Sequence, residues 1–177
     1  MSKQEKQFLP LNVAVLTISD SRTEENDGSG DLIVESFEKA GHNVVKRGIQ
    51  REDVKTLNGR FRDLVDDPDI DVIVSSGGTG LTQRDVTPEA TIPLFDKMIP
   101  GFGELFRMLS YDEIGSSTIE SRADAGIAGG TIVFILPGSP GACRLAMDSI
   151  ILKQLDVRTR PCNLVTLLPR IRHEQKP

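Results

Sequence analysis

Ser75-Ser76-Gly77-Gly78-Thr79-Gly80-Leu81-Thr82-Gln83-Arg84-Asp85-Val86-Thr87-Pro88-Glu89-Ala90 follows an apolar run at 70–74. The run predicts a strand, the glycines a bend, and Thr87-Pro88 a helix start. The Thr87 hydroxyl suits the cap, and Pro88 suits a first position that needs no amide. Strand, glycine loop and helix start in succession make a natural anion site. Glycines let backbone amides approach a phosphate, and a helix N-terminus favours negative charge. The Asp85 carboxylate beside such a site makes sense where a cation such as Mg²⁺ mediates. The loop carries neither the Gly-Lys-Ser/Thr of a Walker A motif nor the Gly-x-Gly-x-x-Gly of dinucleotide folds.

Working outward, strand and helix patterns alternate. The apolar run 13–18 is that of a strand buried on both faces. Residues 31–40 read as a helix stopped by Gly41, and 43–49 as a second strand. Val54, Leu57, Phe61, Leu64 and Val65 fall at helical spacing within 52–66, and 69–75 is the third strand. Downstream, helices are expected from Pro88, over 101–110 and over 117–125. A strand follows at 131–136, then a long helix from Ser139-Pro140 to Leu155. The stretch 156–177 shows no periodicity. Repeated strand–helix units imply one α/β domain of three layers, a mostly parallel sheet with helices on both faces. Ligands on such sheets bind beyond the carboxyl ends of the strands. That geometry gathers the loops 19–30, 50–53, 77–85 and 137–141 on one edge.

A chain of 177 residues suits one domain with a substantial core. Its net charge of −5 lacks the broad basic field that nucleic-acid binding needs. No apolar run approaches the roughly 20 residues of a membrane span, and the polar start lacks a signal core, so a cytoplasmic protein is expected. Cys143 and Cys162 stand apart, and with His42 and His173 they form no zinc spacing.

Several residues of the gathered loops admit two readings. Ser19, Asp20, Asp27 and Ser29 either bind a polar ligand or satisfy turns and cap the next helix. Glu52 and Asp53 are helix-start acids favoured by the macrodipole, or carboxylates that hold a metal. Arg84 either neutralises phosphate or joins a surface salt bridge. Pro137-Gly138-Ser139-Pro140 is a ligand loop or a plain helix start. Neither histidine falls in these loops, so nothing provides a Ser/His/Asp or Cys/His pairing for covalent catalysis.

The string from Gly77 to Ala90 resembles the signature of the MoaB/MogA molybdopterin-binding family of molybdenum cofactor biosynthesis proteins. Pro100-Gly-Phe-Gly-Glu, Ser121-Arg122-Ala and Pro137-Gly-Ser-Pro match further patterns of that family. The resemblance spans residues 12–161, between a polar extension at 1–11 and a tail at 162–177. It implies the molybdopterin-binding fold and Mg²⁺-dependent adenylylation of molybdopterin by ATP, releasing pyrophosphate. The alternative is a non-catalytic carrier or scaffold. It implies catalytic roles for Asp85, Glu52 and Asp53, with Asp85 and Glu52 holding the metal. It assigns Gly77, Gly78, Thr79, Gly80, Ser19, Asp20, Pro137, Gly138 and Ser139 to the nucleotide. Ser29, Thr82, Arg84, Ser121 and Arg122 go to molybdopterin. The family's well-characterised enzymes carry aspartate where Glu52 stands, with Asp53 next to it. Strings at 105–115 and 155–163 resemble the hexameric branch rather than the trimeric one. A homo-oligomer is therefore expected, with Phe102, Phe106 and Tyr111 as an apolar segment for it. Other proteins of the same biosynthesis are further expected partners.

Overall fold

The computed structural model describes residues 6–174; the outermost parts of the expected extension and tail, 1–5 and 175–177, lie outside the described residues. Its order is β1 (Asn12–Ile18), α1 (Gly28–Ala40), β2 (Asn43–Gln50), α2 (Val54–Val65), β3 (Val72–Ser76), α3 (Thr87–Thr91), β4 (Lys97–Met98), α4 (Pro100–Ile114), β5 (Asp124–Ala128), β6 (Thr131–Leu136) and α5 (Pro140–Ala146). A π-helical turn, Met147–Ile151, continues α5 into α6 (Leu152–Gln154), and α7 (Leu168–Glu174) ends the described chain.

One six-stranded sheet runs β2-β1-β3-β6-β5-β4. The first four strands in that order are parallel, and β5 and β4 are antiparallel. Alternation along the strands sends residues to opposite faces. Val13, Val15, Val72, Val74, Ile132 and Phe134 face one core, with Phe37 of α1, Phe102 and Phe106 of α4, and Cys143 of α5. Ala14, Leu16, Ile18, Ile73 and Val133 face the other, with Leu57, Phe61 and Leu64 of α2 and Ala90 of α3. Strands buried on both sides explain the unbroken apolar runs at 13–18 and 131–136.

Three expectations need correction. Residues 117–125 are not a helix: a 3₁₀ segment, Gly115–Glu120, leads into β5. β5 and β6 form a hairpin through Gly129 (φ 54°) and Gly130 (φ 88°), a two-residue turn whose positive φ values suit glycine. Phe102 and Phe106 are core, 4% and 1% exposed, so they are not available as an intersubunit surface. The tail, without periodicity, still folds as a 3₁₀ turn at Val165–Leu167 and α7.

His42 carries a pH prediction. It is 4% exposed and contacts Phe8 and Phe37, with ring centroids 5.0 and 5.7 Å away. Its Nδ1 accepts the Leu11 N–H at 3.2 Å, a role open only to an unprotonated nitrogen. Burial holds its pKa below the usual 6.5, against the pull of Asp156 and Asp71. A folded pKa below the unfolded one gives stability that is present above the unfolded pKa and lost as pH falls toward the folded one. The melting temperature should therefore fall between about pH 7 and pH 5 more steeply for the parent chain than for His42→Gln. Parallel pH profiles would contradict this.

Candidate functional site

The chain steps from β1 to β2 on one side and to β3 on the other, so the topology switches between the carboxyl ends of β1 and β3. Such a switch opens a crevice. Here it is a cavity of about 470 Å³, lined from β1 by Thr17 and Ile18, from the loop after it by Ser19, from the loop after β2 by Glu52, and from the loops after β3 and β6 by Gly77–Gly80 and 137–139. Phe106, Ser110 and Ile114 of α4, with Ser117, Glu120 and Ser121, form the opposite wall.

Backbone conformation shapes the floor. Gly77 and Gly78 adopt φ values of 103° and 62°. A Cβ on Gly77 would lie 2.1 Å from the Ile18 carbonyl oxygen, and a Cβ on Gly138 would lie 3.1 Å from the Gly77 Cα. Gly77 thus lets the loop after β3 close on the end of β1, and Gly138 lets the loop after β6 close on Gly77. Thr87 does not cap α3, whose N-cap is Val86 without a side-chain bond. Its hydroxyl donates to Gly77 O at 2.9 Å and its N–H to Gly78 O at 2.9 Å, so it pins the glycine loop instead.

Asp27 anchors the loop after β1. It is 1% exposed and accepts from the Thr17 hydroxyl at 2.8 Å, Gly30 N–H at 3.0 Å and Arg47 Nη2 at 3.1 Å. A Cβ on Gly30 would collide with this carboxylate at 2.0 Å. The turn so held directs Ser29 Oγ to donate to Gly138 O at 2.8 Å, tying the first loop to the last.

The acidic residues divide by role. Glu52 and Asp85 both line the cavity. Burial, then the charges of Asp85 and Asp20, push the Glu52 carboxyl up. Asp85 is held below the usual range, first by the Thr82 hydroxyl, which donates at 2.6 Å beside the Thr82 N–H at 3.0 Å. Asp20, lowered chiefly by its bond from Arg84, also accepts the Glu52 N–H at 3.2 Å. Asp53 caps α2, accepting from Thr56 N–H at 2.8 Å and the Thr56 hydroxyl.

Of the residues expected at the site, Ser19, Ser29, Glu52, Gly77, Gly78, Thr79, Gly80, Asp85, Ser121, Pro137, Gly138 and Ser139 line this cavity. Asp20, Asp53, Thr82, Arg84 and Arg122 do not. Arg122 braces it from behind, donating to Thr79 O at 3.2 Å and Asp85 O at 2.7 Å and pairing with Glu89. The wall from α4 and the 3₁₀ segment was missed; the serine pair 116–117 after the apolar stretch of α4 was its faint signal. Burial pushes the Cys143 thiol up to about 12, which leaves it inert as a nucleophile.

Residues 14–157 match the family model described as "Probable molybdopterin binding domain". The chain is 48% identical over 163 residues to the molybdenum cofactor biosynthesis protein B of Escherichia coli (strain K12), covering 92% of this chain and 96% of that one. A crystal structure of a molybdenum cofactor biosynthesis protein B superposes with a TM-score of 0.80 at 42% identity, covering 98% of each chain. The tungsten cofactor synthesizing protein MoaB of Pyrococcus furiosus superposes at 0.72 with 33% identity, covering 94% of this chain and 98% of that one. With the glycine loop and its acidic neighbours gathered at the switch point, and with these likenesses over nearly its whole length, the chain belongs to the molybdopterin-binding family of molybdenum cofactor biosynthesis proteins.

Proposed function

We propose that the chain joins ATP to molybdopterin, forming adenylyl-molybdopterin and pyrophosphate in a Mg²⁺-dependent reaction. The observation that carries this reading is the pairing of Glu52 and Asp85 across one cavity floored by Gly77 and Gly78. Attack on the α-phosphorus demands ordered phosphates, charge neutralisation and in-line placement, with no protein nucleophile. Hard carboxylate oxygens suit Mg²⁺, which is typically held by one or two carboxylates together with substrate phosphates and water. Among the described residues no three acidic, histidine or cysteine side chains form a metal cage, so substrate phosphates and water would have to complete the ion's shell. The charges of Asp85 and Asp20 that raise the Glu52 pKa are those a cation would relieve. Glu52 and Asp85 would hold the ion, and its charge would offset that of the phosphates. Ser121, whose buried Oγ has no partner among the described residues, offers a free hydroxyl to the molybdopterin end. Titration calorimetry with AMP and ATP, with and without Mg²⁺, tests the nucleotide reading. Binding strengthened by Mg²⁺ supports it, and absence of binding refutes it.

The second reading is an oligomeric carrier of molybdopterin that does not catalyse. Glu52, one methylene longer than aspartate, motivates it, because catalytic placement tolerates only about 0.5 Å of error.

The chain is also proposed to act as a homo-oligomer, a hexamer rather than a trimer. Leu105, Met108 and Tyr111 recur every three residues on α4 and are 38%, 61% and 61% exposed, on the side away from buried Phe102 and Phe106. An apolar helix face of this kind is characteristic of association surfaces. Met108→Glu should reduce the mass seen by light scattering at micromolar concentration. An unchanged oligomer would move the interface elsewhere, and a monomeric parent would dispose of it.

A further inference from the structure

The geometry points to a second pocket, beside Ser19, as the seat of the terminal phosphates of a nucleoside triphosphate. This inference rests on the nucleotide reading of the main cleft. The pocket has a volume of about 460 Å³, and Asp20, Ile49 and Arg51 line it. Ser19 and Arg22 line both it and the main cleft, so the two spaces meet there. Consecutive residues divide between them: Arg51 faces the side pocket and Glu52 the cleft.

The arginines around the cleft differ in how far they are engaged. Arg47 is bound to Asp27 and Asp31, Arg84 to Asp20, and Arg122 to Glu89. Arg107, on the opposite flank, donates to Ala123 O at 3.1 Å and has Asp124 as a charged neighbour. Arg22 donates Nη1 to the Asn26 carbonyl at 2.8 Å and keeps its other donors. Neither Arg22 nor Arg51 makes a contact ion pair among the described residues, although Arg51 has Asp20 as a charged neighbour, as Arg107 has Asp124. Of the two carboxylates that line the pocket, Asp20 is already engaged by Arg84 and Glu24 is exposed to solvent. The cleft rim itself is acidic, with Glu52 and Asp85. Such a rim disfavours a triphosphate unless cations flank it, and two guanidinium groups held in no contact ion pair lie one pocket away. Guanidinium forks match phosphate oxygens bidentately.

In the transfer, an oxygen of the molybdopterin phosphate forms the new bond to the α-phosphorus. The bond from that phosphorus to the bridging oxygen of the β-phosphate breaks, and its electron pair leaves with pyrophosphate. Arg22 and Arg51 sit where that added charge would be stabilised.

Calorimetric titration of the full chain with MgATP and with AMP tests the assignment. Arg51→Gln removes a side chain held in no contact ion pair, so the fold should persist, which a thermal melt verifies. The variant should bind MgATP at least about 10-fold more weakly and AMP as the parent does, the loss expected for a charged hydrogen bond. The Arg22→Gln/Arg51→Gln pair should abolish most of the preference for ATP over AMP. Unchanged ATP affinity in the double variant, or equal weakening of both ligands, would overturn the pocket's role and leave the main-cleft reading standing. A parent chain that binds neither nucleotide would overturn both.

Discussion

Asp85→Asn is expected to lose at least about 100-fold of adenylyl transfer while melting within a few degrees of the parent. Asp85 lines the cavity with Glu52, and its lowered pKa keeps it ionised throughout the neutral range. The substitution preserves shape and removes charge. Outer-shell partners of metal ligands cost about 10–100-fold when changed, so a carboxylate that itself holds the ion should cost at least the upper figure. The structural role of Asp85 is local: it accepts from the Thr82 hydroxyl and N–H, and the Gly80 N–H also favours its charged form. An asparagine oxygen can still accept the two Thr82 bonds. Exchanging a charged acceptor for a neutral one should cost about 1 kcal/mol. For a domain of this size that is about 2–4 °C. Full turnover in a variant that melts markedly lower would make Asp85 a brace for the turn at 80–82 and nothing more.

Arg47→Met should be the most destabilising of the single changes considered. It leaves the Asp27 carboxylate, 1% exposed, without its cation. Removing one partner from a buried pair costs about 3–5 kcal/mol because the other charge stays buried. The Arg47 side chain is 32% exposed, so water reaches the pair and the low end, about 3 kcal/mol, applies. The melting temperature should then drop by about 6–12 °C. Adding Asp27→Asn to Arg47→Met should recover part of the loss, since a neutral amide keeps the bond from Thr17 without a charge to bury. A drop as small as that of a surface pair, at most about 1 kcal/mol, would contradict this account of the cleft floor.

The legible and illegible parts of the sequence differ in physical kind. Strands buried on both faces announce themselves as continuous apolar runs, so β1, β3 and β6 were readable, and with them the edge where the loops collect. β5 was not: Asp124-Ala-Gly-Ile-Ala has few β-branched residues and suits a helix as well as a strand. The Gly129-Gly130 pair after it was the available hairpin signal. Within the loops, glycines whose backbone conformation excludes a side chain were readable as such. Side-chain partners were not. Thr87, Asp53, Arg84 and Arg122 stand near the crevice in sequence, but their hydrogen bonds go to the glycine loop, to a helix cap, to Asp20 and to backbone carbonyls. Spacing tells which residues reach an edge of the sheet; it does not tell which of them are already engaged there. Asp27 is the reverse case, either a ligand contact or a turn residue by sequence, that proves to be a buried hub.

Adenylyl transfer at the Glu52–Asp85 cleft, in spite of the longer glutamate, is to be read from pyrophosphate release by the purified chain with MgATP and molybdopterin. Pyrophosphate should form in step with adenylyl-molybdopterin, depend on Mg²⁺ and on molybdopterin, and be lost in Asp85→Asn. Tight binding of both ligands without any pyrophosphate release would contradict it and leave the chain a carrier.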